Sequence, residues 1–360
     1  MTELSDLPIR DSLKGRTPYG APQLHVPIAL NVNENSHRIP ETVALDVVSR
    51  LAEAVININR YPDREFTALR ERLAKYLGHN LSSEQLWAAN GSNEVIQQIF
   101  QAFGGPGRKA LGFRPTYSMY SLIALGADTD YVEVERADRY ELTPEIIRAA
   151  IKEHQPDIVM LCSPNNPTGT PLSLACIEAA YESTNGIVVV DEAYAEFSHG
   201  AEASAISLLP GRERLLVSRT MSKAFAFAGA RLGYLAADPA VVDALRLVRL
   251  PYHLSAFTQA AAEAALDHSA EMLATVADIQ VQRDRLLVEL AALGYDPYRS
   301  DSNFVLFGGV ANPQEMFESL LAKGILVRNV GIPNTLRVTA GTERETTVFL
   351  EALAELTHRG

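Results

Sequence analysis

The sequence predicts an α/β fold built on a largely parallel sheet. Four short apolar runs support this prediction, because each is continuous rather than alternating, as strands buried on both faces are. These runs lie at 86–89, 157–162, 186–190 and 214–218. Helical stretches separate them, such as 143–154, where Thr143 can cap the helix and Pro144 suits its first position. This alternation of strand and helix is typical of parallel sheets covered by helices.

The segments on either side of these runs predict an arm and a second domain. Residues 1–30 show no periodicity and are rich in Gly and Pro, so we expect an arm. Helical spacing follows at 40–57 and 66–77, and 269–293 is one long amphipathic helical pattern. Short strands are predicted after it, at 303–307, 325–328 and 336–339. We therefore predict three parts, which are an arm (1–30), a large domain (51–249) and a smaller α+β domain (31–50 with 250–360).

Composition and charge exclude several classes of function. The chain has 360 residues, 47% of them apolar, and a net charge of −12, which disfavours nucleic acid and anionic membranes as partners. Its two cysteines, Cys162 and Cys176, lack the spacing of a zinc site or a disulfide framework, which favours a reducing, cytoplasmic setting. No run approaches the roughly 18 apolar residues of a membrane helix. The eight histidines show no paired spacing, so we expect no metal.

Polar side chains follow three of the predicted strands. Asn166 lies just after 157–162, Asp191 and Tyr194 follow 186–190, and Lys223 follows 214–218. Ligands of such sheets bind outside the carboxyl ends of the strands, so an amide, a carboxylate, a phenol and an amine are expected to meet there. Each alone is equally consistent with a turn, a helix cap or a surface charge. Together they predict a catalytic site.

These residues stand in motifs that resemble a known enzyme family. Asn166-Pro167-Thr168-Gly169, Asp191-x-x-Tyr194 and Ser222-Lys223, with Arg231 beyond them, resemble the fold type I aminotransferases that depend on pyridoxal phosphate. The runs 60–63, 90–94 and 219–231 more narrowly resemble the histidinol-phosphate aminotransferase family, and the resemblance extends over 19–333. It implies a large domain with a mixed, mostly parallel sheet covered by helices, a smaller α+β domain and an N-terminal arm.

The resemblance also implies roles around a pyridoxal 5'-phosphate cofactor. Lys223 would carry the cofactor and shuttle a proton, and Asp191 would pair with the ring nitrogen. Asn166 and Tyr194 would hydrogen-bond the phenolate oxygen, and Tyr117 would stack on the ring. The cofactor phosphate would be held by Ser92, Asn93, Thr220, Ser222 and Arg231, and by Tyr61 from the neighbouring subunit of a homodimer. Taken alone, Ser92-Asn93 is also typical of an ordinary helix N-cap, and Tyr61 is also typical of a surface turn.

For the substrate, the resemblance implies contacts from Tyr19, Asn33, Tyr252, Arg328 and Arg337. The two arginines could instead form surface ion pairs, and the two tyrosines could instead pack at an interface. Both alternatives remain open. The implied reaction is transamination of histidinol phosphate with 2-oxoglutarate, giving imidazole acetol phosphate and glutamate in histidine biosynthesis; the alternative is an aromatic amino-acid aminotransferase. An ATPase is disfavoured because the chain has no Gly-Lys dipeptide for a phosphate loop, and a dehydrogenase because it has no GxGxxG.

Overall fold

The computed structural model describes residues 6–18, 20–199 and 204–357. The described strands are β1 (Ile28–Ala29), β2 (Leu86–Ala89), β3 (Lys109–Arg114), β4 (Asp130–Glu135), β5 (Ile158–Cys162), β6 (Ile187–Asp191), β7 (Leu215–Thr220), β8 (Gly233–Ala236), β9 (Asp296–Pro297), β10 (Phe304–Gly308), β11 (Ile325–Leu326) and β12 (Leu336–Thr339). The described α-helices are α1 (Glu41–Ile56), α2 (Thr67–Leu77), α3 (Ser92–Phe103), α4 (Met119–Gly126), α5 (Pro144–His154), α6 (Leu174–Ser183), α7 (Pro239–Val248), α8 (Ala256–Asp267), α9 (Ser269–Met272), α10 (Val276–Ala292), α11 (Pro313–Ala322) and α12 (Glu343–Thr357).

The largest sheet has seven strands in the order β2-β8-β7-β6-β5-β3-β4. All neighbouring pairs from β4 to β7 are parallel, and β8 runs antiparallel to both β7 and β2. Every residue of β5 and β6 is buried, which explains why those runs are apolar without alternation. The predicted α/β class with a mixed, mostly parallel sheet is confirmed.

The four apolar runs all form strands, but the sequence interpretation missed five other described strands. Two of them, β1 and β9, have only two residues each. β3, β4 and β8 belong to the same sheet. The predicted single helix over 269–293 is wrong in one respect, because the chain turns between α9 and α10. There Ala274 N–H bonds to the Glu271 carbonyl and Val276 N–H to the Leu273 carbonyl, which tightens the turn and redirects the helix.

Residues 28–33 run beside the C-terminal strands. β1 pairs in parallel with β11, and Leu30 N–H continues the pairing to the Leu326 carbonyl at 2.7 Å. On its other side the Leu30 carbonyl accepts from Thr339 N–H at 2.9 Å. β12, β10 and β9 form an antiparallel sheet against which α10 packs. This pairing carries Asn31 and Asn33 toward the end of the large sheet, and the domain limits given above stay a prediction.

Within the described ranges, no α-helix is both long and apolar enough to cross a membrane.

Candidate active site

A cavity of about 340 Å³ opens at the carboxyl ends of β5, β6 and β7. Most of the residues singled out in the sequence line it, namely Asn33, Ser92, Asn93, Tyr117, Asn166, Asp191, Tyr194, Thr220, Ser222, Lys223, Arg231, Arg328 and Arg337. Tyr61 and Tyr252 are not among its lining residues, and Tyr19 lies outside the described residues. The predicted convergence of amide, carboxylate, phenol and amine is therefore observed.

Lys223 lies just beyond β7, in a turn held by the bond from Phe227 N–H to the Met221 carbonyl. Its Nζ donates to the Val32 carbonyl at 2.9 Å. Burial lowers the pKa of Lys223 to about 8, with a further contribution from the positive charge of Arg337. A lysine nucleophile must be neutral to react, and this environment favours the neutral amine.

Asp191 ends β6 as a buried carboxylate that forms no ion pair with any other described residue. Tyr120 donates to its Oδ2 at 2.7 Å and Ser218 to its Oδ1 at 3.2 Å. Burial raises the pKa of Asp191, and the Tyr120 and Ser218 hydrogen bonds oppose that rise. Sequence reasoning missed both donors, although Tyr120 stands one helical turn after Tyr117.

Tyr194 is the centre of a hydrogen-bond network in the lining of the same cavity. Its hydroxyl accepts from Asn33 Nδ2 at 2.9 Å and from Asn166 Nδ2 at 3.4 Å. Arg337 donates to Asn166 Oδ1 at 2.5 Å and to the Asn31 carbonyl at 2.8 Å. Burial raises the pKa of Tyr194, so the phenol stays protonated at neutral pH. Asn33, expected as a substrate contact, thus lies against Tyr194 in this structure.

The N-terminus of α3 faces a group of donors suited to a phosphate. Thr220 Oγ1 lies 3.0 Å from Ser222 Oγ, and Arg231 Nη1 lies 3.4 Å from the same oxygen. Gly91 precedes the helix with φ of +88°, and a Cβ there would lie 2.5 Å from Arg231 Nη2. Helix N–H groups, hydroxyls and a guanidinium are the donors that phosphates bind. The residues present therefore fit the phosphate of the cofactor expected from the sequence.

Positive charge dominates this cavity. Among the described residues, Lys223, Arg231, Arg328 and Arg337 line it, and Asp191 supplies the one carboxylate. Arg328 exchanges backbone hydrogen bonds with Arg337 at 2.9 Å in both directions. Its guanidinium makes no hydrogen bond or ion pair with the rest of the described chain. The site is thus prepared for anionic ligands.

Tyr61 and Tyr252 lie together away from this cavity. Their rings stack with centroids 4.3 Å apart and planes 12° from parallel. Tyr61 is 78% exposed and Tyr252 is 39% exposed, which is high for aromatic side chains in contact. One chain alone therefore does not bring these two predicted site residues to the cavity.

A family model described as aminotransferase class I and II matches residues 26–353 of the chain. The chain belongs to this aminotransferase family. The resemblance inferred from the sequence motifs is thereby confirmed, and the protein is a transferase enzyme.

Two curated relatives of this aminotransferase carry the same name. Histidinol-phosphate aminotransferase of Paenarthrobacter aurescens is 62% identical over 359 residues, covering 99% of this chain and 96% of that protein. Histidinol-phosphate aminotransferase of Thermobifida fusca is 54% identical over 357 residues, covering 99% of this chain and 97% of that protein.

Solved structures of other aminotransferases share the fold. Histidinol-phosphate aminotransferase of Sinorhizobium meliloti, in complex with pyridoxal-5'-phosphate, matches with a TM-score of 0.84 at 25% identity, covering 93% of this chain and 92% of that chain. Aspartate aminotransferase of Thermus thermophilus with maleate matches with a TM-score of 0.78 at 26% identity, covering 91% of each chain. These likenesses confirm the predicted fold of the family. Because both enzymes match, the fold by itself does not select a substrate.

Proposed function

We propose that this aminotransferase converts L-histidinol phosphate and 2-oxoglutarate into imidazole acetol phosphate and L-glutamate, a step of histidine biosynthesis. The observation that carries the proposal is the name shared by curated relatives that are 49% to 62% identical over nearly the whole chain. The cationic cavity adds physical support, because both the phosphorylated amine and the dicarboxylate are anionic.

Pyridoxal 5'-phosphate is the cofactor that the cavity residues fit. When bound, it supplies an electron-withdrawing ring that stabilises negative charge on the reacting substrate carbon. Lys223 is the residue that would hold it covalently, and its free amine would move a proton to and from that carbon. Asp191 would hold a proton at the ring nitrogen, and Asn166 and Tyr194 would hydrogen-bond to the phenolate oxygen.

The cofactor phosphate is assigned to the donors at the start of α3. Arg231 and the hydroxyls of Thr220 and Ser222 surround this position, and Ser92 and Asn93 occupy the first turn of the helix. Asn93 Oδ1 is buried without a hydrogen-bond partner in the described chain. The amide nitrogen of the same side chain is the group that would donate to a phosphate. The positive end of the helix favours a dianion here.

Arg328 and Arg337 are the proposed receptors for the substrate's anionic end. The same pair serves both halves of the reaction, since histidinol phosphate presents a phosphate and glutamate a carboxylate. The Arg328 guanidinium has no hydrogen-bond or ion-pair partner in the described chain, whereas the Arg337 guanidinium already binds Asn166 and the Asn31 carbonyl. Arg337 thereby connects substrate binding to the residues around the cofactor oxygen.

We further infer that the enzyme is a homodimer in which Tyr61 reaches the cofactor phosphate of the partner subunit. Large apolar side chains near Tyr61 in sequence, on α7 or just after α7 are strongly exposed, including Ile58 at 63%, Leu247 at 86% and Leu250 at 76%. Exposed apolar groups of this size are typical of protein interfaces. A partner chain covering them would also enclose the Tyr61–Tyr252 stack.

A cytoplasmic location remains our proposal. Cys162 and Cys176 are both buried and unpaired, as expected of thiols kept in a reducing compartment.

The test of the proposed function is the visible absorption spectrum of the purified enzyme, followed by an assay with two amino donors. We expect a yellow protein whose spectrum changes on adding histidinol phosphate, and the band of lysine-linked cofactor should be missing from Lys223→Ala. Protein that takes up no pyridoxal phosphate would sink the proposal. A higher kcat/KM with phenylalanine than with histidinol phosphate would replace it with the aromatic aminotransferase.

A further inference from the structure

Tyr120 is a fully buried tyrosine that sequence reasoning did not assign to the site. It is the second residue of α4, and its hydroxyl donates 2.7 Å to Oδ2 of Asp191. Its ring also meets the ring of Tyr117 edge to face, with centroids 5.5 Å apart and planes at 85°. One side chain therefore touches both the carboxylate assigned to the ring nitrogen and the aromatic assigned to the ring face.

The surroundings of Asp191 make this hydrogen bond consequential. The polar and titratable groups that face its carboxylate are Tyr120 from α4, Ser218 from β7, the Cys162 thiol from β5 and the neighbouring Glu192. No cation is among them, and the two hydroxyl donors and the Ala193 N–H offset the loss of solvent around the charge. Tyr120 makes the shorter of the two hydroxyl contacts.

We propose that Tyr120 is a positioning residue for transamination, which keeps the Asp191 carboxylate ionised so that the shared proton stays on the cofactor ring nitrogen. The inference rests on the proposed function. A hydrogen bond donated to a carboxylate favours its charged form and lowers its affinity for a proton. Without that donor, Asp191 draws the proton away from the ring nitrogen, and the ring withdraws electrons less effectively.

The informative variant is Tyr120→Phe in the enzyme loaded with pyridoxal phosphate. It removes the hydroxyl but keeps the aromatic ring that packs on Tyr117. Tyr131→Phe is the matched control, because the Tyr131 hydroxyl is buried and has no hydrogen-bond partner in the described chain. Both variants delete one buried hydroxyl oxygen from a tyrosine, but only the first deletes a contact to Asp191.

Two measurements separate a positioning role from a merely structural one. The nitrogen-15 signal of ring-labelled cofactor should move toward the unprotonated form in Tyr120→Phe and stay in place in Tyr131→Phe. The kcat of Tyr120→Phe should fall about tenfold, with KM for histidinol phosphate within about twofold of the parent value.

An unchanged nitrogen-15 signal in Tyr120→Phe would overturn the inference, even if activity fell, because the loss would then come from packing. A parent enzyme that binds no pyridoxal phosphate, or that does not transaminate histidinol phosphate, would instead overturn the proposed function. If the parent enzyme prefers another amino donor but the nitrogen-15 signal still shifts in Tyr120→Phe, the role of Tyr120 is supported and only the substrate is corrected.

Discussion

At the scale of single residues, Lys223 shows how its surroundings prepare an amine for reaction. Burial and the positive charge of Arg337 both disfavour the ammonium form, and Glu34 only partly opposes them. With a pKa of about 8, close to a quarter of the amine is neutral at about pH 7.5. An ordinary lysine with a pKa near 10.4 is neutral in about one molecule in a thousand at that pH.

We predict that cofactor-free enzyme captures pyridoxal phosphate faster as the pH rises through 8. Between about pH 7 and 9 the neutral fraction of Lys223 rises roughly tenfold, and the rate constant should rise with it. Stopped-flow absorbance measures this rate. The blocked amino acid N-acetyl-lysine, measured in parallel, corrects for the cofactor's own titration. A corrected rate that does not change over this range would contradict the lowered pKa.

The two arginines should respond differently to substitution. Arg328→Gln removes a guanidinium that has no partner in the described chain, so it should raise KM for histidinol phosphate about tenfold or more and leave the cofactor spectrum unchanged. Arg337→Gln also breaks the bond to Asn166, so it should alter KM and the spectrum together. Steady-state kinetics and absorbance on the same samples test this. Equal effects of both variants on the spectrum would contradict the distinction.

The candidate site was predictable where motifs are local in sequence. Asp191, Tyr194 and Lys223 follow strands directly, so their convergence follows from sheet topology. The bond from Tyr120 to Asp191 joins residues 71 apart, and that from Asn33 to Tyr194 joins residues 161 apart. Such pairs depend on how α4 and the N-terminal segment pack, which no local spacing encodes.

At the scale of secondary-structure elements, the junction between β2 and α3 has an unusual backbone conformation at the position proposed to bind the cofactor phosphate. Gly91 lies between them with φ of +88° and ψ of 162°, a region that essentially only glycine occupies. The absence of a side chain also leaves room for Arg231. The glycine therefore lets a guanidinium approach the positive end of the helix.

Gly91→Ala should weaken cofactor binding and destabilise the fold. The added Cβ displaces the Arg231 guanidinium, and the strained backbone should lower the free energy of unfolding by about 1–2 kcal/mol. Equilibrium dialysis with pyridoxal phosphate and urea denaturation measure the two effects. Gly229→Ala is the control, since a Cβ there meets no atom within 4 Å. Equal cofactor affinity in both variants would refute the displacement of Arg231.

Two of the strands that sequence reasoning missed, β3 and β4, share a physical cause. β4 is an edge strand, with the sequence DYVEVE and partly exposed positions throughout, so it lacks the continuous apolar character of β5. β3 begins with Lys109 and ends with Arg114, so its apolar run in the sequence is short. β5 and β6 were predictable because burial on both faces constrains every residue. The missed strand β8 does not follow this rule, since it is fully buried between β2 and β7.

At the scale of the whole molecule, charge is distributed unevenly between surface and cavity. The chain carries a net charge of −12, yet four cations and one carboxylate line the cavity. Solvent and salt screen the distant acidic groups, whereas the cavity cations act on a ligand at contact distance. An acidic protein can therefore select phosphorylated substrates and still repel nucleic acid.

We predict that charge placed on the exposed apolar surface of α7 dissociates the enzyme. Leu247→Asp should give monomers by sedimentation, because Leu247 is 86% exposed in a single chain and burying a carboxylate in an interface is costly. Those monomers should also bind pyridoxal phosphate less tightly, since Tyr61 no longer reaches a partner's cavity.

Val288→Asp, on α10, is the control for this experiment. Val288 is a comparably exposed apolar residue at 70%, and its substitution should leave the dimer intact. Dimers in both variants would exclude α7 from the interface.

The position of the N-terminal segment has a practical bearing on where the chain can be altered without changing the cavity. Ala21 lines the cavity, and the Pro22 carbonyl accepts from Asn31 Nδ2 at 2.9 Å, so this part of the N-terminal segment is held beside the cavity. The last described turn of α12 instead contacts Tyr295 through Thr357 at 2.8 Å. A substitution at Ala21 therefore changes the lining of the cavity, whereas a substitution in the last described turn of α12 does not.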